Sequence, residues 1–255
     1  MVLLLTFLLT LPGFSAAQTL AERLGYKATD KLLIANADDV AMSHEANAAT
    51  IDGMENGQIT SGSIMVPCPW FPEIARYARE HPEADFGLHL THTSEWRRYK
   101  WGPVSDTEAV PGLVDSLGYL RRGIESIYKY ATPAQAKIEA RAQIEQALRA
   151  GIDVTHLVSH MGTLQYSAAY HEPYLELAKE YQLPMRVASH ETLAELAPDR
   201  RGRVLEVGVV FPDYLIHEES IEEPIREYWL RTVSSLKPGV TELYIHPAKA
   251  SDALK

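Results

Sequence analysis

The sequence has a single cysteine and no long run of basic residues. Because Cys68 has no partner within the 255-residue chain, an intramolecular disulfide is excluded. The 24 Lys and Arg are outnumbered by 34 Asp and Glu, and no basic run is longer than a pair such as 97–98 or 200–201. Nucleic-acid-binding proteins usually carry a basic stripe, so this pattern argues against a nucleic-acid partner.

The composition is otherwise that of an ordinary globular protein. Hydrophobic residues make up 46% of the chain and charged residues 23%, which excludes fibrous and disordered classes. The length is enough for one α/β barrel or one doubly wound domain.

One apolar run lies at the N-terminus, over residues 2–11, and small residues follow it at 15–17. The run is shorter than the about 20 residues that a bilayer span needs. This layout predicts a signal peptide over 1–17, cut after Ala17, and a single exported domain over 18–255 that is not inserted in a membrane after cleavage. The segment before the run lacks Lys and Arg, so an uncleaved anchor or a misassigned start codon stays an alternative.

From residue 31 onward, short apolar runs alternate with stretches of helical period. The predicted strands are 32–34, 63–66, 86–90, 154–159, 185–188, 203–211 and 241–245, and the predicted helices are 45–56, 72–80, 133–150, 172–181 and 220–236. Residues 92–130 show no clean period and predict a long excursion above the core, of a kind that is usually functional. Alternating strands and helices require parallel pairing with crossovers, and about seven units favour an α/β fold closed as a (β/α) barrel.

Polar residues follow several of these strands at the end where a barrel places its active site. Asp38 and Asp39 follow the first strand and His89 lies in the third. The fourth runs through His156 to His160, and the last ends at His246. Carboxylates and histidines at neighbouring strand ends are the composition of a divalent-metal hydrolase site.

Each of these residues also has a plain structural interpretation. Asp38 and Asp39 could cap the next helix or turn, since Asp is favoured there. His89 alone could be a satisfied core histidine, and His156 with His160 is a weak HxxxH pair without the Glu of HExxH. The combination is stronger than its members because the plain interpretations would have to hold independently at three strand ends.

The same residues lie in five ordered motifs that resemble the YdjC-like family of carbohydrate deacetylases, also described as ChbG/HpnK-like. The motifs are Asn-Ala-Asp-Asp at 36–39, Thr-Ser-Gly-Ser-Ile-Met-Val at 60–66, Gly-Leu-His-Leu at 87–90, His-Leu-Val-Ser-His at 156–160 and Glu-Leu-Tyr-Ile-His-Pro at 242–247. The resemblance covers residues 31 to 247. It implies a distorted (β/α) barrel similar to that of polysaccharide deacetylases.

The resemblance also implies roles for individual residues. Asp39, His89 and His160 would bind one divalent metal ion, Zn²⁺ or Mg²⁺. Asp38 would be the general base and His246 the acid that protonates the departing amine. Polysaccharide deacetylases instead use an HxxxH pair, which would nominate His156 beside His160, and the role of His156 stays open.

Two features near this site carry further alternatives. Where the family usually has Asp in the His-x-Asp-Ser-His segment, this chain has Val158, which removes a carboxylate that could orient a ligand. Trp96 and Trp101 in the excursion could stack on sugar rings or simply pack the loop. His44 and His92 are predicted near the same rim and could contact substrate, although we expect both to be solvent-exposed loop histidines.

The predicted function is therefore a metal-dependent hydrolase that removes acetyl from an N-acetylated amino sugar in an oligosaccharide, glycolipid or glycoside. The alternatives are a sugar-binding protein with a degenerate site and a metal-dependent hydrolase of another bond, such as a phosphoester. The sequence does not choose the sugar, the metal or the oligomeric state.

Overall fold

The computed structural model describes residues 19–188, 200–217, 221 and 223–252. The predicted signal peptide and its cleavage site lie outside these residues. In the part of the chain that is described, no helix is both long enough and apolar enough to cross a membrane.

The fold is α/β, with six parallel strands and helices packed against them. The strands are β1 Lys31–Val40, β2 Ser61–Ile64, β3 Phe86–Leu90, β4 Val154–Ser159, β5 Tyr214–His217 and β6 Gly239–Ile245. The helices are α1 Leu20–Arg23, α2 His44–Glu55, α3 Phe71–Glu80, α4 Ile124–Tyr130, α5 Pro133–Arg149, α6 Ala168–Glu180, α7 Arg200–Glu206 and α8 Ile225–Ser234, with a 3₁₀ turn at His160–Gly162.

The strands form one sheet in the order β4-β3-β2-β1-β6-β5, a parallel half-barrel. Its two edges are linked by hydrogen bonds through residues 184 and 185, which do not form a seventh strand. The Leu157 amide of β4 donates to the Pro184 carbonyl, and the Met185 amide donates to Val210, just before β5. The barrel prediction is confirmed as this half-barrel, and the described residues contain six strands instead of about seven.

Two of the seven predicted strands are not formed, and β5, which was not predicted, is present. Residues 185–188 are extended but form only one β-bridge, between Met185 and Leu157, and Pro184 has no amide hydrogen to add a further bond. The predicted strand over 203–211 is wrong: α7 runs to Glu206 and Gly208, at φ +78°, lies just beyond it. The β-branched and aromatic residues that suggested a strand lie mainly after that turn.

The two faces of the sheet differ in polarity because side chains alternate along each strand. Ala37, Leu88 and Leu157 belong to the apolar core between the sheet and its helices. Asn36 and His89, which alternate with these residues, belong to the opposite face and are also buried. This polar interior leads up to the carboxyl ends of the strands, where the candidate site lies.

Candidate metal centre

The structure brings Asp39, His89 and His160 together at the carboxyl ends of β1, β3 and β4. One ligand atom from each lies within 4.8 Å of the others. Oδ1 of Asp39 is 3.4 Å from Nδ1 of His160 and 3.9 Å from Nε2 of His89. These are the three residues that the family resemblance nominates as metal ligands.

A backbone irregularity turns the Asp39 side chain toward the histidines. The pairing register of β1 with β2 shifts between Ala37 and Val40, and Asp39 has φ +58°. A positive φ is uncommon for a residue other than glycine and is typical of functional positions, where the surrounding structure enforces it. The helix-cap interpretation does not hold, because α2 is capped by the Ser43 hydroxyl, which accepts from the Ala46 amide.

The three residues fit a divalent ion. Ligand atoms about 2.1 Å from one tetrahedral ion lie about 3.4 Å apart, close to the separations in this cluster. Among the described residues, the buried Oδ1 of Asp39 has no hydrogen-bond partner, which is unusual for a buried polar atom. Burial lowers the pKa of His89 despite the opposing charge of Asp38, so this imidazole is neutral at pH 7, as a ligand must be.

His160 lies between two carboxylates. Its Nδ1 faces Asp39 and its Nε2 is 3.1 Å from Oε2 of Glu95. Burial alone would lower the pKa of His160, but hydrogen bonds and charge from these two carboxylates raise it to about 10. The two carboxylates therefore stabilise positive charge at the His160 ring, whether that charge is a proton or a bound metal cation.

Asp38 is held by a buried network next to the triad. Its two oxygens accept from Nη1 and Nη2 of Arg186 at 2.6 and 3.0 Å, and its Oδ1 also accepts from Nδ2 of Asn36 at 2.8 Å. Arg186 also donates to Glu242 from Nε, at 2.8 Å. Burial alone would raise the pKa of Asp38, but Arg186 and then His89 hold it well below its usual range. Asp38 is therefore a fixed carboxylate at neutral pH, with Oδ1 3.4 Å from Nδ1 of His89.

These groups face one cavity of about 320 Å³ at the end of the barrel. Its lining includes Asp38, His89, His160 and Arg186. The other lining residues are Ser159, Met161, Gly162, Gln165, Tyr166, Ala188, Leu215, His217, Tyr244 and His246. His246 follows β6 and is exposed, so a proton on it can exchange with solvent. The structure thus places the predicted base and the predicted acid on the same cavity as two of the predicted ligands.

His156 lies elsewhere. Its Nε2 is 3.4 Å from the Ser63 hydroxyl and its Nδ1 is 2.9 Å from the Thr155 hydroxyl. It lines a separate cavity with Leu20 and Asp85, below the site. The structure therefore does not bring His156 into the ligand cluster, and the pairing of His160 with His89 is the one that its geometry supports.

The two tryptophans differ in environment. Trp96 is 45% exposed and directly follows Glu95 in the excursion. Trp101 is 2% exposed and donates from Nε1 to the Thr93 carbonyl at 2.9 Å, so its ring packs the excursion and has no face open to a sugar. The expectation for His92 is wrong, because it is fully buried and its Nε2 bonds the Ala136 carbonyl. His44 is exposed and contacts Glu73 at 2.9 Å.

Sequence patterns did not identify Arg186 and Glu95 as site residues. A charged residue inside the short apolar run 185–188 is a usable signal for Arg186, because a buried charge needs a partner. Nothing in the pattern of residues 92–130 distinguishes Glu95 from the other acidic residues there.

Comparison with known proteins agrees with the resemblance found in the sequence. The family model described as YdjC-like protein matches residues 32–255. Proteins named carbohydrate deacetylase are 30% identical in Thermoanaerobacter pseudethanolicus (224 residues; 88% of this chain, 84% of that protein) and 31% identical in Enterococcus faecalis (229 residues; 86% and 82%).

A solved structure from Enterococcus faecalis V583, described as a "putative cellobiose-phosphate cleavage protein", has a TM-score of 0.74 and 27% identity. The similarity covers 88% of this chain and 84% of that one. Since the family model spans almost all of the described barrel, the chain belongs to the YdjC-like family.

Proposed function

We propose that the protein is a metal-dependent carbohydrate N-deacetylase, which hydrolyses the acetamide of an amino sugar to acetate and a free amine. The observation that carries the proposal is the close approach of Asp39, His89 and His160, two of which line one cavity together with an ionised Asp38. The names of the relatives supply the substrate class.

Asp39, His89 and His160 are the residues that would hold the ion, one Zn²⁺ or Mg²⁺. When bound, a divalent ion supplies a Lewis acid for the amide carbonyl and lowers the pKa of water beside it. The rest of the chemistry falls to the side chains around the cavity.

Asp38 is the general base in this mechanism. It removes a proton from the attacking water, and the hydroxide forms a bond to the acetyl carbon. Arg186 and Asn36 fix both oxygens of Asp38, so the carboxylate does not need to reorient during the reaction. Arg186 is therefore a positioning residue for the base.

His246 is the general acid. An amine is a poor leaving group unless it is protonated, so the carbon–nitrogen bond breaks as a proton moves from the imidazolium of His246 to the amine nitrogen. The products are acetate and the free amine. Tyr244, two residues earlier on β6, packs edge-on against this imidazole at 6.0 Å between centroids.

The cavity size and rim suit a sugar bound at the end of a chain. A volume of about 320 Å³ is small for a ligand pocket, so it accommodates one acetamido sugar with the remainder extending over the rim. Trp96 is an exposed aromatic of the excursion that can stack on a neighbouring ring. Export remains part of the proposal and places the substrate outside the cytoplasm.

The test is acetate release from N,N'-diacetylchitobiose by the protein loaded with Zn²⁺ or Mg²⁺. Asp38→Asn keeps the shape of the base and removes its charge, and we expect it to lose about 10²–10⁴ of the rate. The matched control is Asp85→Asn, on a carboxylate beside the separate cavity of His156, which keeps the wild-type rate.

Three outcomes would contradict the proposal. Tight binding of the sugar without acetate would identify a binding protein with a degenerate site. Release of phosphate from a phosphoester, with no acetate from an acetamide, would identify a hydrolase of another bond. An Asp38→Asn variant as fast as the wild type would remove Asp38 from the role of base.

A further inference from the structure

Glu95 makes a specific contact with one of the three candidate ligands. Its Oε2 lies 3.1 Å from Nε2 of His160, and the other ring nitrogen of His160 faces Asp39. The two nitrogens of an imidazole lie on different sides of the ring. A carboxylate that accepts from Nε2–H therefore fixes both the tautomer and the ring orientation that present the Nδ1 lone pair to the cluster.

The backbone around Glu95 is held in place by the excursion of residues 92–130. The Ser94 amide donates to the Arg121 carbonyl at 2.8 Å, and Nε of Arg122 donates to the Glu95 carbonyl at 3.0 Å. The buried Trp101 donates to the Thr93 carbonyl. The carboxylate is thus positioned before any ligand arrives, and the packing of Trp101 contributes to that position.

β4, the strand that ends just before His160, contains no carboxylate. Val158 lies on β4 in register with His89, is fully buried and is apolar. We propose that Glu95 is the positioning residue for His160, supplied from the excursion in place of a carboxylate on β4. This inference rests on the ion site of the proposed function.

The experiment measures Zn²⁺ affinity directly, by competition with a chromophoric chelator, on the wild type and on Glu95→Gln. The variant keeps the size of the side chain and loses its charge, so we expect the dissociation constant to rise about 10-fold, and about 100-fold in Glu95→Ala. Glu108→Gln is the matched control, since Glu108 lies exposed in the same excursion and leaves the affinity unchanged.

A second readout separates positioning from a merely structural role. The acetate rate of the variant should recover when Zn²⁺ is raised above its weakened dissociation constant. Recovery of the acetate rate at high Zn²⁺ identifies Glu95 as a residue that acts through His160.

The inference is overturned if Glu95→Gln binds Zn²⁺ as tightly as the wild type, or if its acetate rate stays below that of the wild type at saturating Zn²⁺. It is also overturned, together with the ion site, if the wild type binds no Zn²⁺. If Zn²⁺ affinity depends on Glu95 but no acetate is formed, the inference stands and the deacetylase proposal fails.

Discussion

Replacing Arg186 with methionine would remove the single cation that two buried carboxylates share. Arg186 is 5% exposed, and its partners Asp38 and Glu242 are 2% and 4% exposed. The guanidinium makes bonds of 2.6 and 3.0 Å to Asp38 and of 2.8 and 2.5 Å to Glu242. Methionine fills much of the same volume but leaves both carboxylates without their partner.

The size of the effect follows from the burial of all three groups. Breaking a buried ion pair by removing one partner costs about 3–5 kcal/mol, and a shared cation places this case at the upper end. For a chain of this length, 1 kcal/mol corresponds to about 2–4 °C, so a loss of about 5 kcal/mol lowers the melting temperature by about 10–20 °C.

The loss should also depend on pH. In the wild type, Arg186 holds the pKa of Asp38 below its ordinary value, so the stabilisation is present above that value and is lost only as the pH falls through the lowered pKa. In Arg186→Met burial remains without the cation, so the pKa of Asp38 rises and the carboxylate is protonated at mildly acidic pH. The deficit relative to the wild type should therefore be larger at pH 7 than at pH 5.

The assay is urea unfolding at both pH values, with Arg141→Met as control. Arg141 pairs with Glu180 on the surface, where an ion pair contributes about 0–1 kcal/mol. Adding Glu242→Gln to Arg186→Met should regain part of the loss by removing one of the unpaired charges. The reasoning is refuted if Arg186→Met costs no more than Arg141→Met, or if its deficit is the same at pH 5 and pH 7.

Three further predictions address the rest of the chain. Burial and then Arg200 lower the pKa of His171 to about 4, so as the pH falls below about 6.5 the unfolded chain binds this proton before the folded chain does. Unfolding measurements at pH 7 and pH 4.5 should therefore show that the wild type loses about 2–3 kcal/mol more stability over this range than His171→Phe. Equal pH dependence in both proteins would count against this prediction. A Cβ on Gly87 would lie 2.4 Å from both Nδ1 and the carbonyl oxygen of His156, so Gly87→Ala should lower the free energy of unfolding by about 1–3 kcal/mol or more. Adding His156→Ala should regain only part of this loss, because the carbonyl oxygen stays in place. A Gly87→Ala variant as stable as the wild type would refute this packing. Mass spectrometry of the secreted chain should find Gln18 at its N-terminus, and recovery of the intact chain from a membrane fraction would instead identify an uncleaved anchor.

The elements with a clear period could be predicted from the sequence. Strands 86–90 and 154–159 agree with β3 and β4, and the helix predicted over 133–150 ends one residue from α5. In these segments local propensity and burial favour the same structure. β5, at Tyr214–His217, was missed because four residues after Pro212-Asp213 carry too little periodicity to distinguish a strand from a loop.

The candidate site could be predicted in part for a similar reason. Asp38, Asp39, His89, His160 and His246 follow or end strands, so the topology of a parallel sheet gathers them at one edge. Glu95 reaches the same edge from an irregular excursion, and Arg186 crosses the interior from a segment with a single β-bridge. Their positions depend on tertiary contacts that no short-range pattern encodes.

The central claim is that one divalent ion at Asp39, His89 and His160 is needed for deacetylation. The direct measurement is a titration of metal-free protein with Zn²⁺, in which bound metal and acetate release from N,N'-diacetylchitobiose are followed in the same samples. The account predicts that the acetate rate rises in proportion to bound metal, reaches its maximum at one ion per chain, and is absent in Asp39→Ala. Acetate release by the metal-free protein, or one bound ion without acetate, would contradict it.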